Sequence, residues 1–322
     1  MGRGGVSVGA PRRRSARRAA TLGALFGSVL LVGCTRWFFY PDSRLVATPA
    51  DFGLAYRDVA IETRDGVSLH AWLIEPPGTV RGSVYFLHGN AENVSTHVRA
   101  ALWLVEAGYR VLALDYRGYG RSGGEPDIPE VFEDVRAGGE WLFAYLDALA
   151  ADEADGGVPI DRQAVHVFAQ SLGAGLAIRH LELEPAQRAR VTTLVVEAAF
   201  TRYGAIARHV ARGNFLTRLF GPLAERALAS EHDPLDAIGA LAPLPVMIVH
   251  SPEDTIVPYD FGLALYRAAK APKAFVEARG PHIVAVAEAR VREAILAFMR
   301  RHESRGASGV DRNGAAPDGE GG

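Results

Sequence analysis

Ser171 ends the apolar run Val165-His166-Val167-Phe168-Ala169-Gln170 and is followed at once by Leu172-Gly173-Ala174-Gly175. A strand that stops at a serine and turns straight into a small-residue helix is the context of a nucleophile elbow, a tight turn that pushes the serine Oγ out of the sheet edge. Its neighbours must be small because the helix passes close to the strand. Ala169, Gly173 and Gly175 meet that need, although the usual pattern, G-x-S-x-G, has glycine where this chain has Ala169. A serine at a strand-to-helix turn is equally a helix cap, so its reading depends on the rest of the chain.

A serine hydroxyl attacks an acyl carbon only when a base takes its proton, an acid orients that base and fixed donors receive the oxyanion. On this type of elbow the chain order is serine, acid, histidine. Asp254 lies in His250-Ser251-Pro252-Glu253-Asp254, just past the apolar run Val246 to Val249, and His282 lies in Arg279-Gly280-Pro281-His282-Ile283, past the last strand pattern. Taken singly, the first reads as a turn residue and the second as a loop histidine. Taken in order after the right strands, they form a set with Ser171. Glu197, at the end of Leu194-Val195-Val196, is a second candidate for the acid. The run Leu87-His88-Gly89-Asn90-Ala91 follows another buried strand pattern, and the backbone amides of Asn90 and Leu172 are the candidate oxyanion hole. His88 reads as a buried histidine bonded to loop backbone, and Asn93 and Ser95 as caps of the next helix.

These residues need a scaffold of alternating strands and helices, the signature of a mostly parallel, doubly wound α/β sheet. Leu54 to Thr63 and Val67 to Glu75 flank Arg64-Asp65-Gly66, an antiparallel hairpin by its Asp-Gly turn. Strands are then expected at Ser83–Leu87, Val111–Tyr116, Val165–Ala169, Leu194–Val196, Val246–Val249 and Ala274–Ala278, with helices near Val94–Ala107, Pro129–Leu146 and Ala287–Arg301. The stretch Thr201–Leu241 is too long for a plain connection. Its Ile206, Val210, Phe215, Leu216, Leu219, Phe220 and Leu223 suggest amphipathic helices, either a small cap over the site or packing on the sheet flank.

The ends differ from the body. Residues 1–33 hold six arginines and no acid or lysine, with an apolar small-residue stretch from Ala19 to Gly33, which reads as an export signal. Leu31-Val32-Gly33-Cys34 is similar to a bacterial lipobox, and Cys34 is the single cysteine, so the expected organisation is a signal peptide (1–33), an anchor and linker (34–53), a catalytic domain (54–303) and a disordered tail (304–322). The apolar stretch is shorter than the roughly 20 residues that span a bilayer. Lipid attachment at Cys34 would hold the body outside the cytoplasm at an envelope membrane, with Thr35 pointing to the outer one; an uncleaved signal anchor would leave it on the same side. Removing the six leader arginines from a chain of net charge −2 leaves −8, which argues against nucleic-acid binding.

From Phe39 to His302 the chain resembles the α/β-hydrolase superfamily, in the serine-hydrolase branch that includes bud-emergence-type proteins, depalmitoylase-like α/β-hydrolase-domain proteins and bacterial lipoprotein hydrolases. The resemblance rests on Phe39-Tyr40-Pro41, on Leu87-His88-Gly89-Asn90-Ala91 and on Asp115-Tyr116-Arg117-Gly118-Tyr119-Gly120-Arg121-Ser122-Gly123-Gly124. It implies ester or thioester hydrolysis on small-molecule or lipid acyl substrates, with no metal or organic cofactor. One departure is Gly280-Pro281-His282-Ile283, where the family often has Gly-Gly-His-Asn; proline fixes its backbone and removes a donor. That departure leaves open a catalytically silent envelope binding protein, and an acyltransferase is a third reading. Neither H-E-x-x-H nor C-x-x-C is present.

Overall fold

The computed structural model describes residues 35–154, 164–213 and 218–309. The leader and Cys34, together with Phe215 and Leu216, lie outside the described residues. Eight strands among the described residues form one sheet: β1 (Tyr56–Glu62), β2 (Ser68–Ile74), β3 (Gly82–Leu87), β4 (Tyr109–Leu114), β5 (Ala164–Gln170), β6 (Thr193–Glu197), β7 (Val246–His250) and β8 (Lys273–Glu277). Their spatial order is β1-β2-β4-β3-β5-β6-β7-β8. β2 runs antiparallel to both neighbours, and every other pairing is parallel. The hairpin turn at Asp65-Gly66 forms as its composition demands, with Gly66 at φ +81°.

The helices that matter for the site are α1 (Val94–His97), α2 (Leu102–Glu106), α3 (Val131–Ala154), α4 (Leu172–Leu183), α5 (Tyr203–Gly213), α6 (Gly221–Ala227), α7 (Tyr259–Ala268) and α8 (Ala289–Gly309). Successive strand residues point to opposite faces, and both faces are covered. Tyr85, Leu87, Val167, Ala169, Val196 and Ile248 join one core with α3, α4 and α7. Val84, Phe86, Phe168, Val195 and Met247 join the other, with α1, α2 and α8. Coverage on both sides is why the central strands read as unbroken apolar runs rather than as alternation.

Three expectations need correction. The helix foreseen over Val94–Ala107 is two short pieces with a 3₁₀ turn at Val98–Ala100 between them. β-branched Val94, Thr96 and Val98 lower its helix propensity, and the Trp103 indole donates to the Ala100 carbonyl at 2.6 Å. Ser95 caps nothing: its Oγ accepts from the Val46 amide at 2.9 Å, while Asn93 Oδ1 takes the Ser95 amide and is the true cap. The last helix passes the expected tail boundary at 304 and runs to Gly309; residues 310–322 lie outside the described residues.

Candidate active site

Parallel strands deliver their carboxyl ends to one edge of the sheet, where an open α/β sheet binds its ligands. Ser171 follows β5 there with φ 51° and ψ −110°. A left-handed backbone at a non-glycine residue stores about 1–3 kcal/mol, and the surroundings hold it. The Ser171 amide donates to the Glu197 carbonyl at 2.9 Å and the Gly173 amide to the His88 carbonyl at 3.1 Å. A methyl at Gly173 would stand 2.3 Å from the Leu87 carbonyl oxygen, so the small residue two places after the serine is forced by backbone contact. Ala169 is fully buried in register between Leu87 and Val196, and its methyl fits.

The three candidates meet. Ser171 Oγ lies 2.9 Å from His282 Nε2, and His282 Nδ1 lies 2.7 Å from Asp254 Oδ2. An imidazole protonated on Nδ1 donates to Asp254 and leaves Nε2 free to accept the serine proton. Asp254 Oδ1 accepts the Ile256 and Val257 amides at 2.8 and 2.9 Å. Burial pushes the Asp254 carboxyl up, but the His282 bond and charge and the two amides outweigh it and hold it below the usual carboxylate range. Pro281 does not misplace the histidine. The loop turns through Gly280 at φ +88° and Ile283 at φ +53°, and the imidazole still reaches the serine.

Glu197 is bonded elsewhere. Its Oε2 accepts from Gln170 Nε2 and its Oε1 from the Ala285 amide, each at 2.7 Å. It is buried, which raises its pKa against the pull of those two donors. Gln170 Nε2 also reaches the Ile283 carbonyl at 3.4 Å. Glu197 and Gln170 therefore pin the histidine loop from behind. Composition could not reveal this pair, although the β5–β6 register sets Gln170 directly opposite Glu197.

The Asn90 loop, the expected oxyanion site, is built by the other long motifs. Asn90 Oδ1 accepts from the Tyr40 amide (3.0 Å), the Ala91 amide (2.9 Å) and the Tyr119 hydroxyl (2.7 Å), while Nδ2 donates to the Phe38 carbonyl at 2.5 Å. This side-chain hub escaped the sequence reading, which singled out Asn90 for its amide alone. The Tyr116 hydroxyl holds the His88 carbonyl at 2.9 Å, and Asp115 accepts the Val94 amide at 2.7 Å. A methyl at Gly120 would collide with Asp115 Oδ2 at 2.0 Å, which explains glycine in that turn. His88 is fully buried with Nδ1 2.7 Å from the Gly89 carbonyl, the structural role expected of it. The Asn90 amide has no acceptor among the described residues. The Leu172 amide, at the first position of α4, has no partner within its own helix. Both Asn90 and Leu172 line the same cavity as Ser171 and His282.

That cavity measures about 810 Å³, within the range of small-molecule sites. One wall of it is formed by α5 and α6, the cap side of the cavity. On α5, Ile206, Ala207, Val210 and Ala211 recur at helical spacing, and Leu223, Ala224 and Ala227 of α6, with Phe220 and Leu228 at its two ends, repeat the pattern; both stripes line the cavity. The helices pack closely at Gly204, where a methyl would stand 2.4 Å from the Glu225 carbonyl oxygen. No Asp, Glu, Lys or Arg lines the cavity among the described residues. A second cavity of about 770 Å³, beyond Ile283, includes Glu92, Arg99, Glu106 and Arg292 but not Ser171. Among the described residues no cluster of His, Cys, Asp and Glu is disposed to hold a metal ion.

Comparison with known proteins agrees with this architecture. Residues 78–239 match the family described as serine aminopeptidase, S33 (Hydrolase_4). The uncharacterized protein Rv2307c of Mycobacterium tuberculosis is 30% identical over 249 residues, covering 76% of this chain and 78% of its own. The uncharacterized protein YfhR of Salmonella typhi is 26% identical over 248 residues, covering 73% and 76%. Among solved structures, the Pyrococcus furiosus esterase Pf2001 superposes with a TM-score of 0.62 at 24% identity, covering 81% of this chain and 96% of that one, and shares the fold.

Proposed function

The chain belongs to the serine aminopeptidase S33 family of α/β-hydrolases, and on that premise we propose that it is an extracytoplasmic serine hydrolase cleaving carboxylic ester or thioester bonds of apolar acyl groups. One observation carries the reading: the Asp254–His282–Ser171 chain of hydrogen bonds opens into a cavity whose described lining holds no Asp, Glu, Lys or Arg. An aminopeptidase must recognise an α-ammonium, and a buried ammonium needs a carboxylate partner. The described lining offers none, whereas an acyl chain needs only apolar surface.

Ser171 Oγ attacks the acyl carbon while its proton passes to His282 Nε2, and Asp254 stabilises the resulting imidazolium. The carbonyl oxygen, now an oxyanion, takes the Asn90 and Leu172 amides. Donors already fixed in place need no reorganisation as the charge develops. Collapse expels the alcohol or thiol with the proton from His282, leaving an acyl-Ser171 ester; water, deprotonated by the same histidine, then releases the acid. Attachment at Cys34 would put this chemistry in the cell envelope. Among the described residues no helix is long and apolar enough to cross a membrane.

A fluorophosphonate probe tests the proposal directly. Mass spectrometry should find the full chain modified at Ser171, with the adduct lost in Ser171→Ala and greatly slowed in His282→Ala. A folded wild-type chain that takes no label would identify a silent binding protein instead.

A further inference from the structure

The cavity mouth has features that ester chemistry alone does not require. Five residues that line the cavity are themselves largely exposed: Tyr40 (61%), Val210 (49%), Phe220 (60%), Leu223 (61%) and Ile256 (48%), which places them on its rim. Leu219, beside Phe220 and outside the lining, is 81% exposed. A cluster of large apolar side chains around one opening marks a docking surface.

Two further observations say what docks there. Between Tyr203 and Leu228 the sequence holds four arginines and one glutamate, in a body whose net charge without the leader is −8. Arg208 pairs with Glu225; Arg212, packed against Gly221 next to Phe220, and Arg226 are both exposed. Cationic side chains beside an apolar face suit an anionic lipid surface. The chain also enters the described structure at this rim: Phe38 and Tyr40 line the cavity and are tied to Asn90. Cys34 lies four residues before Phe38, a reach of at most about 14 Å. A lipid tether at Cys34 would hold the cavity mouth, rather than the far edge of the sheet, next to the membrane.

We propose that the rim formed by Tyr40, Val210, Leu219, Phe220, Leu223 and Ile256 docks onto an anionic phospholipid bilayer, so that the cavity takes acyl chains directly from the membrane. The substrate half of this proposal rests on the ester-hydrolase reading; the docking half does not. Lipid-embedded and water-soluble acyl esters therefore reach Ser171 by different routes.

Full-length chain is reconstituted on phosphatidylglycerol–phosphatidylcholine vesicles carrying 4-methylumbelliferyl palmitate and assayed in parallel on p-nitrophenyl butyrate in water. Leu219→Asp should lower the vesicle rate at least tenfold and leave the soluble rate within twofold. The pair Arg212→Glu with Arg226→Glu should act similarly, with its effect disappearing on phosphatidylcholine vesicles. Equal losses on both substrates, or none on either, would overturn the proposal. So would a self-association in solution that Leu219→Asp abolishes without changing the vesicle rate, which would assign the face to a second copy. A second arm needs no catalysis: in Ser171→Ala, amide exchange over residues 218–228 should slow several-fold on phosphatidylglycerol vesicles relative to phosphatidylcholine ones. Unchanged exchange there defeats docking even if the ester assays succeed, and ester assays that fail while exchange slows defeat the catalytic reading instead.

Discussion

Ser171, Asp254 and His282 stand on loops held by buried polar partners, whereas the helices facing them, α5 and α6, present stripes of carbon to the same cavity. On the catalytic side a chain of hydrogen bonds runs from the Ile256 and Val257 amides through Asp254 and His282 to Ser171, backed by Glu197 on the Ala285 amide. On the cap side the described polar ties, among them the Arg208–Glu225 pair and the Tyr203 amide on Asp233, are made by residues outside the cavity lining. On the proposed reading the difference gives each side its job. A reaction needs atoms fixed within fractions of an ångström. An acyl chain needs only apolar surface of about the right shape, since the hydrophobic effect has no direction.

The largest test of this contrast is Asp254→Asn, which keeps the shape of the catalytic side and removes the charge that orients His282. Turnover of a soluble short-chain ester should fall about 10³–10⁴-fold with little change in KM. Near-normal turnover would mean that another acid serves the histidine.

Glu197→Gln reaches one layer deeper. The amide cannot accept from both Gln170 and Ala285 as the carboxylate does, so the histidine loop loses a pin. The expected result is a kcat lower by about tenfold, the scale of one lost hydrogen bond of about 1.4 kcal/mol, with KM unchanged and fluorophosphonate labelling slowed in proportion. If KM rises instead while kcat holds, Glu197 supports the cavity and not the histidine.

The smallest effect belongs to the cap. Leu223→Ala removes apolar lining without touching a polar atom, so KM for a long-chain ester should rise about three- to tenfold, in keeping with the 0.8 kcal/mol carried by each buried methylene. For an acetate ester, kcat and KM should stay as they were. A matching loss on acetate would make the cap part of the catalytic machinery and erase the distinction between the two sides.

The sequence made the catalytic side more legible than the cap. Elbow, acid and histidine could be found because each follows an apolar strand, and strand ends in a parallel sheet converge on one edge. The Asn90 hub and the Gln170–Glu197 pair were harder to see, because they join residues 27 to 52 positions apart whose types are ordinary. The cap residues carried a helical period that was visible, but period alone does not say which way a helix faces. Both a flank helix and a cap bury one stripe.

By itself, the chain determined what repeats locally: the alternation of strands and helices, the Asp-Gly hairpin, the small residues around Ser171 and the order of the three candidate catalytic groups. Those features follow from steric limits and periodicity within a few residues. Only the tertiary structure decided that Pro281 leaves the histidine in reach, that Asp254 rather than Glu197 meets it, and that α5 and α6 line the cavity and leave an apolar rim exposed. Each of these depends on distances between segments far apart in the chain. Such distances are set by how the two cores pack against the sheet, a sum over many contacts that no local pattern encodes.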